Sequence, residues 1–189
     1  MKNYGLIRLY GLDCNQVQNV LPHAKKFGIQ LMVGIHEVHK LTEQVNTLAG
    51  IVKGDDWKMI RTISIGNELL LGDKKLNAAG TPIGAYNAGD VLALTNQGRS
   101  LLRAKGFQGH VVTVNIFYQV LQNPSLCNSQ DILAINLHPF FDGAVKADGA
   151  GAFAKEMVRQ IKLKPECKEK IVLITGKLIH LVFETTKKN

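Results

Sequence analysis

One glutamate follows a stretch that reads as a buried strand, and its neighbours suit it to proton transfer. Glu68 comes just past the apolar run Ile60–Ile65 and precedes three leucines rather than residues that favour solvent. A carboxyl group held against apolar neighbours has its charged form disfavoured, which suits it to donate a proton. Asn67 beside it could hydrogen-bond a sugar hydroxyl. From these residues alone, a plain loop-capping role for Glu68 is an equally good interpretation.

Other reactive patterns in the chain are weak. Residues 36–39 (His-Glu-Val-His) resemble part of a zinc-protease signature, but the histidines are three positions apart instead of four. The cysteines Cys14, Cys127 and Cys167 are too far apart for a metal knuckle or a CxxC redox pair. One disulfide with a leftover thiol and three free thiols both remain open. We therefore predict no metal and no other cofactor.

Two further carboxylates stand where loops begin. Asp13 and Glu37 each follow a predicted strand and precede a helical pattern. Acidic side chains in such positions commonly accept hydrogen bonds from the first backbone N–H groups of a helix. We expect both residues to act as caps.

The elements that must position Glu68 alternate between short strands and longer helices. This alternation is typical of a parallel α/β sheet. The β-rich runs are Leu6–Tyr10, Gln30–Ile35, Ile60–Ile65, His110–Asn115, Ile132–Leu137 and Lys170–Thr175. The helical patterns lie near Gln16–Phe27, Leu41–Val52, Ile83–Lys105, Phe117–Leu121 and Ala150–Leu163.

Polar residues at the predicted strand ends favour a closed barrel over an open doubly wound sheet. A (β/α)8 barrel carries its reactive residues at the C-terminal ends of its strands. The chain has such residues after four strands, at 8–10 (Arg-Leu-Tyr), 67–68 (Asn-Glu), 115–117 (Asn-Ile-Phe) and 136–138 (Asn-Leu-His). A nucleotide-binding sheet would instead show a glycine-rich phosphate loop, and neither common form of that loop occurs.

Composition and charge bear on the partners of the chain. With 189 residues, 46% of them hydrophobic, it can bury one sizeable core. Its net charge of +8 comes from lysines spread along the sequence without interleaved aromatic residues, so we predict a solvated basic surface and no nucleic-acid partner. No stretch approaches the roughly 18 apolar residues of a membrane span. Met1–Gly11 lacks the order typical of a signal peptide.

Several segments, in the same order along the chain, resemble the fungal cell-wall branch of glycoside hydrolase family 17. Residues 7–17 (IRLYGLDCNQV) look like the second-strand motif of that family, and residues 64–68 (SIGNE) are similar to its fourth-strand acid/base signature. Residues 123–127 (NPSLC) and 134–143 (AINLHPFFDG) look like its sixth-strand region. The resemblance implies a partial (β/α)8 barrel of about six parallel strands, which acts on β-1,3-glucan by a retaining mechanism in a secreted or cell-wall setting.

The resemblance also implies roles for individual residues. Glu68 would be the acid/base, and Asn67 would hold the sugar. The remaining substrate-binding residues would line a cleft, and their rings suit stacking on the faces of pyranose sugars; they are Tyr10, Phe117, His138 and Phe141.

The chain departs from the family where its second carboxylate should stand. A retaining glycosidase needs a nucleophile about 5–5.5 Å from the acid/base. The family supplies a glutamate at the end of the seventh strand, and the matching position here is Gly176. We therefore expect residues 1–176 to form an incomplete glycosidase barrel, strands two to seven of the family fold, and residues 177–189 to be a divergent tail.

This departure gives two expectations about the activity of the chain. Without its first and last strands a barrel cannot close, so we expect low stability and little glucanase activity. The alternative is a catalytically inactive protein of the cell wall that binds glucan, with a toxin-like or antigenic role.

Overall fold

A computed structural model describes residues 5–70, 75–76, 82–83, 86–128, 132–142 and 144–175. These residues fall into two compact units, which divide between Thr113 and Val114. Among the described residues, no helix is long and apolar enough to cross a bilayer.

The first unit contains three parallel strands and three helices. Its strands pair in the order β1-β2-β3, with Leu9 opposite Val33 and Ile35 opposite Ile65. They are β1 (Leu6–Leu9), β2 (Gln30–Ile35) and β3 (Ile60–Asn67). The helices are α1 (Gln16–Phe27), α2 (Leu41–Ile51) and α3 (Ala88–Ala104). A short antiparallel pair follows β3 and consists of β4 (Lys75–Leu76) and β5 (Pro82–Ile83).

The core of the first unit lies around its central strand. Residues 31–35 of β2 are all buried, which accounts for the unbroken apolar run there, because a parallel strand is covered on both faces. Each helix turns one apolar stripe towards the strands. The buried residues of these stripes include Val17 and Leu21 on α1 and Val45 and Leu48 on α2.

The second unit has the same alternation of strands and helices. Its strands pair in parallel in the order β6-β7-β8, with Val114 opposite Ala134 and Ile135 opposite Ile174. They are β6 (His110–Ile116), which begins before the division, β7 (Ile132–Asn136) and β8 (Ile171–Thr175). The helices are α4 (Phe117–Gln122) and α5 (Ala150–Lys162).

A disulfide in the second unit resolves the question that cysteine spacing left open. Cys127 and Cys167 are bonded, and each ends a short 3-10 turn, one after α4 and one after α5. Both cysteines are fully buried. Cys14 is a free, exposed thiol.

The predicted elements agree with the structure within two residues at nearly every boundary, and one helix start is wrong. The sequence predicts a helix from Ile83, but α3 begins at Ala88 and Ile83 belongs to β5. A capping box fixes that start: the Asn87 side chain accepts from the backbone N–H of Asp90 at 3.0 Å, and the Asp90 carboxylate accepts from the Asn87 N–H at 3.1 Å.

Position 34 of β2 requires glycine, because the backbone of Tyr10 lies too close to admit a side chain. A Cβ atom at this position would lie 2.1 Å from the carbonyl oxygen of Tyr10. We expect Gly34→Ala to lower the free energy of unfolding by about 1–3 kcal/mol, because backbone must shift to admit the methyl group. Urea denaturation followed by circular dichroism measures the effect. The control is Gly50→Ala in α2, where a Cβ meets nothing within 4 Å and alanine favours the helix; equal stability of the two variants would contradict the prediction.

Candidate active site

The end of β3 turns sharply, and this turn positions the predicted acid/base. Gly66 has φ +74°, and a Cβ there would lie 2.4 Å from Cδ1 of Leu69. The buried Leu69 side chain therefore folds back onto the strand end, into space that only glycine leaves open. Glu68 stands between these two residues and is half-buried.

Glu68 itself adopts a backbone conformation that is rare for a residue with a side chain. Its φ is +55°, in the left-handed region. This conformation costs a non-glycine residue roughly 1–2 kcal/mol, and such strain is concentrated at functional sites. The fold holds Glu68 in a strained turn, which supports a role beyond capping.

Arg8 of β1 brings the predicted residues of the first unit together. Its Nη2 donates a hydrogen bond of 2.8 Å to Oδ1 of Asn67, and its guanidinium carbon lies 4.2 Å from the ring centroid of Tyr10. Burial lowers the pKa of Arg8, while its electrostatic interactions with Tyr10 and Glu68 act in the opposite direction. Tyr10, Asn67 and Glu68 thus share one basic neighbour, and we call these four residues the Arg8 cluster.

The contact with Arg8 fixes the orientation of the Asn67 amide. A guanidinium group has donors and no acceptor, so the atom of Asn67 that faces it must be the oxygen. The amide NH2 group, which can only donate, then points the other way.

The sequence places Arg8 at a strand end, but the sequence motifs assign it no role in the site. The available signal was its position in β1, two residues before Tyr10, because side chains two apart on a strand project to the same side. Its partner Asn67 is 59 residues away in sequence, so the hydrogen bond itself could not be anticipated.

The predicted residues of the second unit lie at the C-terminal ends of β6 and β7. Phe117 is the first residue of α4 and makes an edge-to-face contact with Phe153 of α5, with ring centroids 5.8 Å apart. His138 follows β7 and contacts the edge of Phe141 at 5.7 Å, and Phe141 is 70% exposed. This unit therefore has aromatic rings at the ends of two of its strands, and their role in sugar binding stays a prediction.

The predicted nucleophile position follows directly on β8. Thr175 ends that strand, donates a hydrogen bond to Oδ1 of Asn136, and accepts one from the backbone N–H of Leu137 at 2.9 Å. Gly176 and the tail 177–189 lie outside the described residues.

The expectation that Asp13 and Glu37 act as caps is wrong. Neither the turn at Asp13–Asn15 nor the turn at Val38–Lys40 has a side-chain cap. The Asp13 carboxylate instead accepts from Nε2 of Gln16 at 2.8 Å, and the Glu37 carboxylate accepts from Nε2 of Gln44 at 2.8 Å. Both turns start without a cap, and both carboxylates bind glutamines of the following α-helices.

Comparison with known proteins agrees with this geometry. The model of the BtgE/BtgC glycoside hydrolase domain matches residues 1–176. The chain belongs to this glycoside hydrolase family. The family expected from the sequence motifs is confirmed, and the motifs around Arg8 and Glu68 lie within the matched range.

Two curated relatives of this glycoside hydrolase domain are fungal. The cell surface mannoprotein MP65 of Candida albicans is 38% identical over 162 residues, which make up 85% of this chain and 40% of the relative. The probable family 17 glucosidase SCW4 of Saccharomyces cerevisiae is 34% identical over 174 residues, 92% of this chain and 42% of the relative. The chain therefore spans about two-fifths of the length of these relatives.

A solved structure supports the fold of this glycoside hydrolase domain. The family 17 β-1,3-glucanosyltransferase of Rhizomucor miehei is similar with a TM-score of 0.64 and 20% identity, over 90% of this chain and 58% of that one. Parallel strands alternate with helices in both units, as in this fold, and the predicted fold class of a partial (β/α)8 barrel is confirmed.

Proposed function

We propose that this chain is part of a glycosidase that acts on β-1,3-glucan by a retaining mechanism, through endo-hydrolysis or glucanosyl transfer. The observation that carries the proposal is the Arg8 cluster, in which a strained carboxylate, an oriented amide and an exposed tyrosine share one arginine. The relatives support the substrate class, since one is named a family 17 glucosidase and one structure a β-1,3-glucanosyltransferase.

Each residue of the cluster has a role in this reaction. Glu68 gives its proton to the glycosidic oxygen as the C1–O bond breaks, and it later takes a proton from the water or sugar hydroxyl that attacks. Asn67 donates from its NH2 group to the 2-hydroxyl of the sugar, an interaction that strengthens in the transition state. Tyr10, 47% exposed, offers a ring face to a pyranose. Arg8 holds Asn67 and Tyr10 in place.

Turnover by this chain is impaired in our proposal, because glycine stands at the nucleophile position. A retaining mechanism forms a bond between C1 of the sugar and a carboxylate oxygen, and Gly176 has no side chain to supply one. The match to the family model extends to residue 176, which supports a glycosidase segment of 1–176 followed by a divergent tail.

The second candidate function is glucan binding without cleavage at the cell surface. The Candida albicans relative is named a cell surface mannoprotein. The Cys127–Cys167 disulfide fits a secreted or cell-wall protein, because disulfides persist in oxidising compartments. Both functions use the same aromatic and polar residues, and they differ in whether product forms.

Sedimentation with insoluble β-1,3-glucan tests the shared part of both functions. We expect Tyr10→Ala to weaken binding about tenfold, because the variant loses the exposed ring that packs on Arg8. The matched control is Phe27→Ala, which removes another exposed aromatic ring, at the C-terminal end of α1. A reducing-sugar assay on the same samples separates the candidates, since binding without product favours the second. Equal binding by the two variants would count against a glucan site at the Arg8 cluster.

A further inference from the structure

Lysines that are far apart in the sequence meet at one end of the first unit. The helices α1, α2 and α3 each end shortly before the next strand begins, so their C-termini lie at the end of the unit where the strands start. Cations are favoured there, because the carbonyl end of a helix is negative. Five exposed lysines occupy this end, and we call them the basic patch; they are Lys25, Lys26, Lys53, Lys58 and Lys105.

Contacts between three segments show that the patch is one surface. The Lys25 ammonium lies 2.6 Å from Oδ1 of Asp56, which joins the end of α1 to the turn Gly54–Met59. Trp57 of that turn packs against Phe107, with ring centroids 5.6 Å apart, and so joins the turn to the loop after α3. The fold therefore gathers charges that the sequence keeps up to 80 residues apart.

The loop that carries Lys105 is held in place by an arginine. Arg103 donates from Nη1 to the carbonyl oxygen of Phe107 at 2.7 Å and from Nη2 to that of Gly109 at 2.9 Å. Gly109 in turn lies against the backbone carbonyl of Arg61 near the start of β3. A surface that is fixed before binding loses less entropy when its ligand arrives.

The patch has an excess of positive charge. Its five lysines stand beside two aspartates, which leaves a formal charge of +3. Asp55 pairs with Lys58 at 2.6 Å, and Asp56 pairs with Lys25. Among the residues that the structure describes, no carboxylate pairs with Lys53 or Lys105. A polyanion would neutralise this excess and release counterions, which favours binding at low salt.

The basic patch and the Arg8 cluster lie at opposite ends of the first unit. β3 begins at Ile60, next to the turn Gly54–Met59, and ends at Asn67. Its eight residues span roughly 25 Å. A ligand on the patch therefore leaves the surroundings of Glu68 uncovered.

Two observations favour an acidic polysaccharide over a nucleic acid. Phe27 is exposed at the patch, but the Lys26 ammonium lies over its ring, 5.6 Å from the centroid, and competes there with a stacking base. Proteins that bind single-stranded nucleic acids rely on free aromatic rings. The Cys127–Cys167 disulfide is typical of oxidising compartments outside the cytosol, where acidic polysaccharides occur and nucleic acids are scarce.

We propose that the basic patch binds an acidic polysaccharide, whose phosphate or carboxylate groups contact Lys53 and Lys105. The bound polymer holds the first unit by the end where its strands start, with the Arg8 cluster facing away from it. This inference goes beyond the proposed glycosidase function and does not depend on it.

Fluorescence anisotropy with labelled dextran phosphate and labelled polygalacturonate tests the patch and distinguishes phosphate from carboxylate. We expect the native chain to bind at least one of these polymers at about 50 mM salt and not to bind neutral dextran. The double variant Lys53→Gln/Lys105→Gln should weaken this binding about tenfold. It should also lower the slope of log K against log salt concentration by about 1–2, because two charged contacts are lost.

The matched control is Lys155→Gln/Lys168→Gln, which removes the same charge from exposed positions of the second unit and should change binding less than twofold. Circular dichroism melting of each variant shows whether the fold is kept. Equal loss in both double variants would assign the binding to net charge and overturn the proposal. So would tighter binding of duplex DNA than of either polysaccharide, or no binding of either polysaccharide. Sedimentation with β-1,3-glucan reports the proposed function separately, and the Lys53/Lys105 variant should match the native chain in it.

Discussion

Replacing Glu68 with glutamine is expected to slow azide-dependent cleavage of a phenyl β-1,3-diglucoside by about 10²- to 10⁴-fold, the usual contribution of general acid catalysis. In the proposed mechanism, azide takes the place of the nucleophile that is missing at position 176. Its nitrogen bonds to C1 of the sugar as the C1–O bond to phenol breaks, and Glu68 gives its proton to the departing oxygen. The products are phenol and the α-glycosyl azide, which chromatography and nuclear magnetic resonance detect.

A change of leaving group provides the control for this experiment. Dinitrophenolate departs without needing a proton, so the same substitution should have little effect on cleavage of the dinitrophenyl substrate. Glu43→Gln, at an exposed position of α2, should leave both rates unchanged. Equal loss with both leaving groups would show that Glu68 supports the fold or substrate binding rather than proton transfer. No azide-dependent product from the unaltered chain would favour the glucan-binding alternative.

Loss of the Cys127–Cys167 disulfide is expected to lower the free energy of unfolding by about 4 kcal/mol. The two cysteines are 40 residues apart. A cross-link of this span lowers the conformational entropy of the unfolded chain, which raises the free energy of the unfolded state by about that amount. The double variant Cys127→Ala/Cys167→Ala avoids leaving a lone buried thiol. Urea denaturation by circular dichroism measures the change, and hydrogen exchange in β7 and β8 reports it within the second unit.

Chemical reduction and a single-cysteine variant check this second prediction. A reducing agent should destabilise the native chain by a similar amount and have no effect on the double variant. Cys14→Ser should change stability by less than about 0.5 kcal/mol, since Cys14 is exposed and unbonded. A reducing agent that leaves the unfolding midpoint of the native chain unchanged would contradict the predicted role of the cross-link.

The elements of this fold were predictable because their signals are local. Leu31–Ile35 is apolar throughout, as a strand covered on both faces must be, and α1 has the periodic apolar positions of a helix packed on one side. The start of α3 is the exception, because the capping box between Asn87 and Asp90 begins the helix at Ala88 rather than at Ile83, where the apolar pattern begins.

The site was predictable only in part. Glu68 and Asn67 could be proposed from the sequence because they end a strand in a recognisable motif. The roles of Asp13 and Glu37 were mistaken because capping depends on backbone geometry, and the glutamines of α1 and α2 compete for the same carboxylates. The left-handed conformation of Glu68 was not foreseen, since it follows from the packing of Leu69 under Gly66.

The sequence by itself determined the alternation of strands and helices, the family, the acid/base candidate and the glycine at position 176, because each depends on residues close together in the chain. Only the tertiary structure decided which distant residues meet. Arg8 reaches Asn67 because β1 and β3 flank β2 in one sheet, and Cys127 bonds Cys167 because two turns 40 residues apart lie side by side. Such contacts are fixed by packing of the whole unit, which no short segment encodes.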